Sequence, residues 1–182
     1  PDGCPGSATP ATTAEPGKGC QIPSNYKEKE WLVGPGVYPG GLKLNSGTFY
    51  LLPGVYYIEG GGIDLGGNGV TVISVDSSGS VPDRGGAVLI YNTEGDNADA
   101  GVVNLNEANA DIYLEPYEGG PWDGFVVFQD RAIDIKGDNG DDIVINGSDS
   151  EMSVRGLIYG KLAEVKINGS GGTLIITQVI AH

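Results

Sequence analysis

Six short phrases of one design recur along the chain: Leu42-Lys43-Leu44-Asn45, Ile63-Asp64-Leu65-Gly66, Val103-Asn104-Leu105-Asn106, Ile133-Asp134-Ile135-Lys136, Ile143-Val144-Ile145-Asn146 and Val165-Lys166-Ile167-Asn168. Each sets two apolar residues about a central one and then closes on a turn-forming or polar residue. Positions i and i+2 of a strand share a face, so each phrase predicts a short strand with its apolar pair buried. Leu44, Leu65, Ile135, Ile145 and Ile167 are expected to point inward, and Lys43, Asp64, Asp134 and Lys166 outward. A longer phrase returns too. Gly36-Val37-Tyr38-Pro39-Gly40-Gly41 comes back as Gly54-Val55-Tyr56 and then Gly60-Gly61, and the apolar pairs that follow are displaced by 21 residues, from 42 to 63. Repeats of about 20–25 residues, each holding several short strands, are the signature of a β-solenoid, in which no single coil can bury its inner face alone. The expected fold is all-β, a right-handed parallel β-helix over residues 33–182 preceded by an irregular arm over residues 1–32. About seven coils fit at that period. The alternative is an antiparallel sandwich, which also spaces its strands regularly but needs no recurrence of whole phrases.

Composition narrows the function. The chain has 182 residues, one domain's worth, and 32 of them are glycine; with 39% hydrophobic residues it is neither a disordered tail nor collagen. A formal charge of −14 disfavours nucleic acid and anionic lipid as partners. The single histidine is His182 and the two cysteines are Cys4 and Cys20, so no internal Ser-His-Asp triad, Cys-His pair or His-ligated metal site can be assembled. No stretch approaches about 18 consecutive apolar residues, so no transmembrane segment is expected. Five prolines (Pro1, Pro5, Pro10, Pro16 and Pro23) crowd the first 23 residues, which marks the arm. Cys4 and Cys20, with residues 5 to 19 between them, predict one disulfide and an oxidising compartment, hence secretion. Two unpaired thiols in a cytosolic protein are the alternative.

Read in order, Pro35-Gly36-Val37-Tyr38-Pro39-Gly40-Gly41-Leu42, Leu52-Pro53-Gly54-Val55-Tyr56-Tyr57-Ile58-Glu59-Gly60-Gly61-Gly62 and Gly69-Val70-Thr71-Val72-Ile73 resemble the β-helical C-terminal region of TadE/TadG-like proteins of Flp (tight-adherence) pilus assembly. The resemblance continues through Ala110-Asp111-Ile112-Tyr113-Leu114-Glu115-Pro116, Gly124-Phe125-Val126-Val127-Phe128-Gln129-Asp130-Arg131 and Gly156-Leu157-Ile158-Tyr159-Gly160, before Ile167-Asn168-Gly169. It spans residues 33–182 and implies a non-enzymatic role at a bacterial cell surface or in secreted material, linked to pili or adhesion. Two features depart from the family: no membrane-anchoring N-terminal helix is expected among these 182 residues, and Pro39 stands where such proteins often carry cysteine.

Candidate sites are few. Asp138-Asn139-Gly140-Asp141-Asp142 and Glu94-Gly95-Asp96-Asn97-Ala98-Asp99 are the densest acidic turns, and Asp138, Asp141 and Asp142 are the candidate Ca²⁺ ligands. Neither turn has EF-hand spacing, and Asp and Asn also suit solvated turns without a metal. Gly66-Gly67-Asn68-Gly69-Val70-Thr71-Val72-Ile73 comes close to the calcium-binding β-roll nonapeptide, but Thr71 stands where the ligating Asp belongs. No other cofactor is expected. Asp130, Arg131, Asp134 and Lys136 would suit a polysaccharide lyase, whose base abstracts a proton beside a carboxylate. Alternating charge on an exposed strand gives the same pattern, and 24 acids single out no glycosidase pair, so the expectation is no enzyme. Trp31, Tyr56, Tyr57, Tyr91, Tyr113, Tyr117, Trp122 and Tyr159 are candidates for a sugar-stacking platform, although core and interface are the commoner uses of such residues. Asn146-Gly147-Ser148 and Asn168-Gly169-Ser170 read as Asn-Gly turns rather than glycan acceptors.

A solenoid's terminal coils expose unpaired strand edges and one layer of core. The final run, Gly172 to His182, is apolar and strand-forming, and Trp31, Leu174, Ile176 and Ile180 are the expected assembly interface. The functional expectation is a secreted structural protein of the bacterial surface, pilus-related or the subunit of a head-to-tail filament, with a second copy of the chain as its partner. In the competing expectation the arm folds back over its own open end and the chain stays monomeric. The rival from another class is a carbohydrate-binding or polysaccharide-cleaving β-helix.

Overall fold

A computed structural model describes residues 20–21, 30–65, 69–76, 85–96, 98–106, 110–133, 142–148, 151–170 and 173–181. The chain is all-β, with no α-helix among the described residues and a single 3-10 turn at Gly120–Trp122. The strands are β1 (Cys20–Gln21), β2 (Glu30–Val33), β3 (Gly36–Pro39), β4 (Leu42–Lys43), β5 (Thr48–Leu51), β6 (Gly54–Glu59), β7 (Ile63–Asp64) and β8 (Thr71–Ser74). They continue as β9 (Ala87–Thr93), β10 (Val103–Asn106), β11 (Asp111–Pro116), β12 (Phe125–Gln129), β13 (Ile143–Ser148), β14 (Glu151–Gly160), β15 (Val165–Ser170) and β16 (Thr173–Ala181).

The pairings sort these strands into three columns. The first runs β2, β5, β8, β11 and then the first halves of β14 and β16. The second runs β3, β6, β9, β12 and then the second halves of β14 and β16. The third runs β1, β4, β7, β10, β13, β15. From β1 onward the chain visits third, first and second column in that fixed order, one level higher on each circuit. Every pairing between these strands is parallel, which rules out the antiparallel sandwich for them.

The phrases that recur in the sequence stack on one another in the third column. Leu42, Ile63, Val103, Ile143 and Val165 are successive partners, each pairing with the next. The steps between them are 21, 40, 40 and 22 residues, so the period of about 21 holds only at the two ends. The middle circuits are lengthened by the connections between β8, β9, β10, β11, β12 and β13. Among the described residues each column therefore holds six levels, where a constant period implies about seven coils. Of the sixth phrase only Ile133 is described, following a turn after β12 and buried at 3% exposure; Asp134, Ile135 and Lys136 lie outside the described residues, and β10 pairs directly with β13.

Inward positions make one continuous core. Leu44, Leu65, Leu105 and Ile145 are all fully buried, whereas Lys43 and Asp64 are half-exposed and Lys166 is exposed, so alternation decides the facing as the phrases require. Tyr38 and Tyr56 stack inside at 5.9 Å between ring centroids. Their hydroxyls donate to backbone carbonyls, Tyr38 to Gly34 and Tyr56 to Leu52 at 2.7 Å, and burial pushes both phenols well above their ordinary pKa. The recurring Gly-Gly pairs explain themselves at the corner between second and third columns. Gly41 and Gly61 have φ of +98° and +66°, and a Cβ on Gly61 would drive into the carbonyl of Gly40 on the level below. Only glycine satisfies both the backbone conformation and the close approach of stacked corners.

Two expectations about boundaries change. The ordered stack begins before residue 33: Cys20 and Gln21 pair with Leu42 and Lys43, and Trp31 pairs with Phe49. The Asn-Gly-Ser segments are not turns. They lie inside β13 and β15, where Asn146, Gly147 and Ser148 pair in register with Asn168, Gly169 and Ser170.

Candidate functional site

The inward positions of the third column define the site at its upper end. Ile145 is fully buried, and Ile167, its direct partner one level higher, is 42% exposed. Nothing among the described residues pairs with the far side of β15 or of β16, so the apolar layer that closes the core from below is open from above. Val165, Ile176 and Val179 lie half-buried in that layer, packed on the core beneath. Leu162, Ile175 and Ile180 add exposed apolar surface around it. The expectation that Ile167 is a buried residue is thus corrected: its direction is inward, but no level among the described residues covers it and it is 42% exposed.

The residues proposed for assembly divide accordingly. Ile180 is exposed and Ile176 half-buried at the open end, where the sequence puts them. Leu174 sits in β16 with its side chain outside the described residues. Trp31 is not a surface residue: at 2% exposure it belongs to the core of the lowest level, as do Val33 and Tyr38. Its place in a proline-rich stretch suggested an exposed arm, whereas pairing with β5 commits it to the interior.

On the outside of the second column, Val37, Tyr57, Tyr91, Phe128, Tyr159 and Ile180 succeed one another in register over all six levels. Ring centroids lie 5.2 Å apart from Tyr57 to Tyr91, 5.3 Å from Tyr91 to Phe128 and 4.8 Å from Phe128 to Tyr159, the last two pairs nearly parallel at 17° and 13°. Trp122, carried by the 3-10 turn between β11 and β12, packs edge-on against Tyr91 and Phe128. A sugar platform presents ring faces to its ligand, whereas Tyr91, Phe128 and Tyr159 stack their faces on one another. Of the aromatics singled out in the sequence, Tyr57, Tyr91, Tyr159 and Trp122 meet in this cluster; Trp31 and Tyr56 are core residues, and Tyr113 belongs to the first column. Phe128 completes the stack and was missed, because its alignment with Tyr91 depends on connection lengths the repeat does not reveal.

Asp130 caps this cluster. Its carboxylate accepts from the Tyr91 hydroxyl at 3.2 Å, the Thr93 hydroxyl at 3.3 Å and the Ala132 amide at 3.1 Å. Burial, followed by the Asp130 charge, raises the Tyr91 pKa, while Arg131 opposes the shift. The Arg131 guanidinium lies 5.4 Å from the Tyr159 ring centroid. Asp134 and Lys136, the other two lyase candidates, lie outside the described residues.

Asp142 is 3% exposed and its carboxylate accepts from the Glu164 amide at 2.8 Å, which ties two successive circuits. Asp138 and Asp141 lie outside the described residues, and among the described ones no group of three or more His, Cys, Asp or Glu side chains converges as a metal site. Cys4 is likewise outside them, and with it the disulfide to Cys20. Among the described residues no helix is long and apolar enough to cross a membrane. No protein-family model, curated protein or solved structure gives a significant match to this chain.

Proposed function

We propose that the chain is a right-handed parallel β-helix serving as the non-enzymatic structural subunit of a secreted, self-assembling filament at a bacterial surface. The handedness follows from the strong rule that parallel strands of one sheet are joined by right-handed crossovers. The observation that carries the function is the step from buried Ile145 to 42% exposed Ile167 in one inward column, an apolar position with no described strand above it. An exposed apolar layer bordered by free strand edges is a template for another chain. The pilus- or adhesion-related role implied by the TadE/TadG-like phrases belongs to this proposal, as does the oxidising compartment. The carbohydrate-binding rival loses its main support once the aromatic rings are stacked upon each other.

Electron microscopy of the purified chain, with light scattering across a concentration series, tests the proposal. Unbranched fibres above a critical concentration are expected, together with no depolymerisation of acidic polysaccharide. A chain that stays monomeric at high concentration overturns the filament, and turnover of a polysaccharide overturns the non-enzymatic assignment.

A further inference from the structure

The last inward position of each second-column strand has a composition of its own. Tyr38, Ile58, Asn92, Gln129, Gly160 and Ala181 are successive partners there, one on each described level. Tyr38 is aromatic, Ile58 and Ala181 are aliphatic and Gly160 is bare, but the two middle levels carry amides. Asn92 and Gln129 are both at 0% exposure.

These are also the levels at which the corner to the third column is long. Nine residues separate β9 from β10 and thirteen separate β12 from β13, against two after β3, three after β6 and four after β14. Asn92 ties the far end of the first long connection back to the strand that precedes it, its Nδ2 donating to the Gly101 carbonyl at 2.8 Å.

That bond uses one end of one amide. Asn92 Oδ1, Gln129 Nε2 and Gln129 Oε1 have no hydrogen-bond partner among the described residues. A buried amide left without partners is strongly destabilising, so such groups in folded proteins are satisfied by protein atoms or by ordered water. The levels above and below offer hydrocarbon. Ile58 lies beneath Asn92, and a Cβ on Gly160, above Gln129, would meet Ala163 Cβ at 2.5 Å and Ile143 Cδ1 at 3.3 Å.

We infer that Asn92 and Gln129 form a binding site for internal water at the inner corner between the second and third columns. The site lies inside one chain and is independent of how copies assemble. Its chemistry selects water over other small ligands. The unmatched groups are two acceptors and a donor, carried by ladder neighbours one strand spacing of ~4.7–4.9 Å apart. Water donates to both carbonyl oxygens and accepts from the amide nitrogen, which gives it the two to four polar partners, or about three, that an internal water makes. A calcium ion takes about six to eight oxygens and would face the Gln129 Nε2 with like polarity, and an anion would satisfy that nitrogen alone. Held between the two amides, the water ties β9 to β12 from the inside, at the levels where both strands lead into long connections.

A crystal structure of the full chain at a resolution that shows ordered water tests the site, together with the urea midpoint of Gln129→Met in the dilute monomer. A water peak within hydrogen-bond distance of Asn92 Oδ1 and of the Gln129 amide is expected. The variant should have a lower midpoint, with a folding constant roughly fivefold smaller, because it exchanges a satisfied amide for a thioether of similar size. A direct bond from Gln129 Nε2 to Asn92 Oδ1 with no water peak beside it overturns the site. So does a midpoint that rises, since the exchange has then removed an amide without partners. Should Gln129→Met fail to fold, the density in the unmodified chain decides alone.

Discussion

The open end of the core makes a quantitative prediction at two positions of identical chemistry. Ile145 and Ile167 are successive inward partners of one column, at 0% and 42% exposure. Ile145→Ala removes a fully enclosed side chain and leaves a cavity between the levels above and below, so a loss of about 3–4 kcal/mol is expected. Burying a whole isoleucine side chain stabilises by about 1.5–3 kcal/mol, and Ile167 realises little more than half of that with no closed cavity to leave behind. Ile167→Ala should therefore cost about 1 kcal/mol in the dilute monomer. Urea titration well below the critical concentration, read by tyrosine and tryptophan fluorescence, measures both. If, as proposed, a second copy covers the remaining exposed area, its loss of about 1 kcal/mol should raise the critical concentration roughly fivefold for Ile167→Ala. Equal destabilisation of the two dilute monomers would refute the open layer, because it would mean that Ile167 is as enclosed as Ile145.

Three further outcomes are expected. Gly61→Ala should unfold the chain or cost about 3 kcal/mol or more, since it combines a φ of +66° with a Cβ placed against the Gly40 carbonyl, while an alanine at Gly119, which has open space around it, should cost about 1 kcal/mol; thermal melts compare them. Stability should fall above pH ~10: the folded-state pKa values of Tyr38, Tyr56 and Tyr91 are raised by burial, so the unfolded chain ionises first and the contribution present below that pH is lost as pH rises through the folded values, a trend that a flat melting temperature from pH 9 to 11 would contradict. Non-reduced peptide mapping should recover a Cys4–Cys20 linkage, worth roughly 3 kcal/mol in the chain-entropy account, and freely alkylated thiols in native material would remove it.

The inward facing of Leu44, Leu65 and Ile145 was legible because alternation over three residues is enough to set a side when strands are buried on one face. The number of levels was not. Ile63 to Val103 and Val103 to Ile143 each span 40 residues, and nothing local distinguishes a long connection from another coil. That ambiguity admitted Ile133 to Lys136 as a further rung and hid the alignment of Tyr91 with Phe128, which follows only once β9 and β12 are known to be neighbours. Asn146-Gly147 was misjudged as a turn for a related reason. A dipeptide that favours hairpins in isolation is held extended when its neighbours above and below are already paired, here through Asn168 and Gly169. The open end was readable in outline from the apolar final run, but its depth was not: Ile176 and Val179 rest on the core while Ile175 and Ile180 do not, a division that depends on the bulge between the two halves of β14.

A chain with a net charge of −14 has to keep that charge out of any surface through which it self-associates. Among the described residues between Leu44 and Ser148, twelve acids stand against one base, Arg131, and on the filament reading that excess sets how end-to-end and flank-to-flank contacts respond to salt. On the filament reading an end-to-end contact would rest on strand edges and apolar side chains such as Ile167, so ionic strength should barely change the critical concentration. Flank-to-flank approach is opposed by like charges whose range shrinks from about 30 Å at 0.01 M salt to about 8 Å at 0.15 M. Raising salt should therefore bundle existing fibres without creating them, observable as growing fibre width at constant subunit rise. A critical concentration that drops steeply with salt would place charged flanks inside the end-to-end contact, and the end-on geometry would then be wrong.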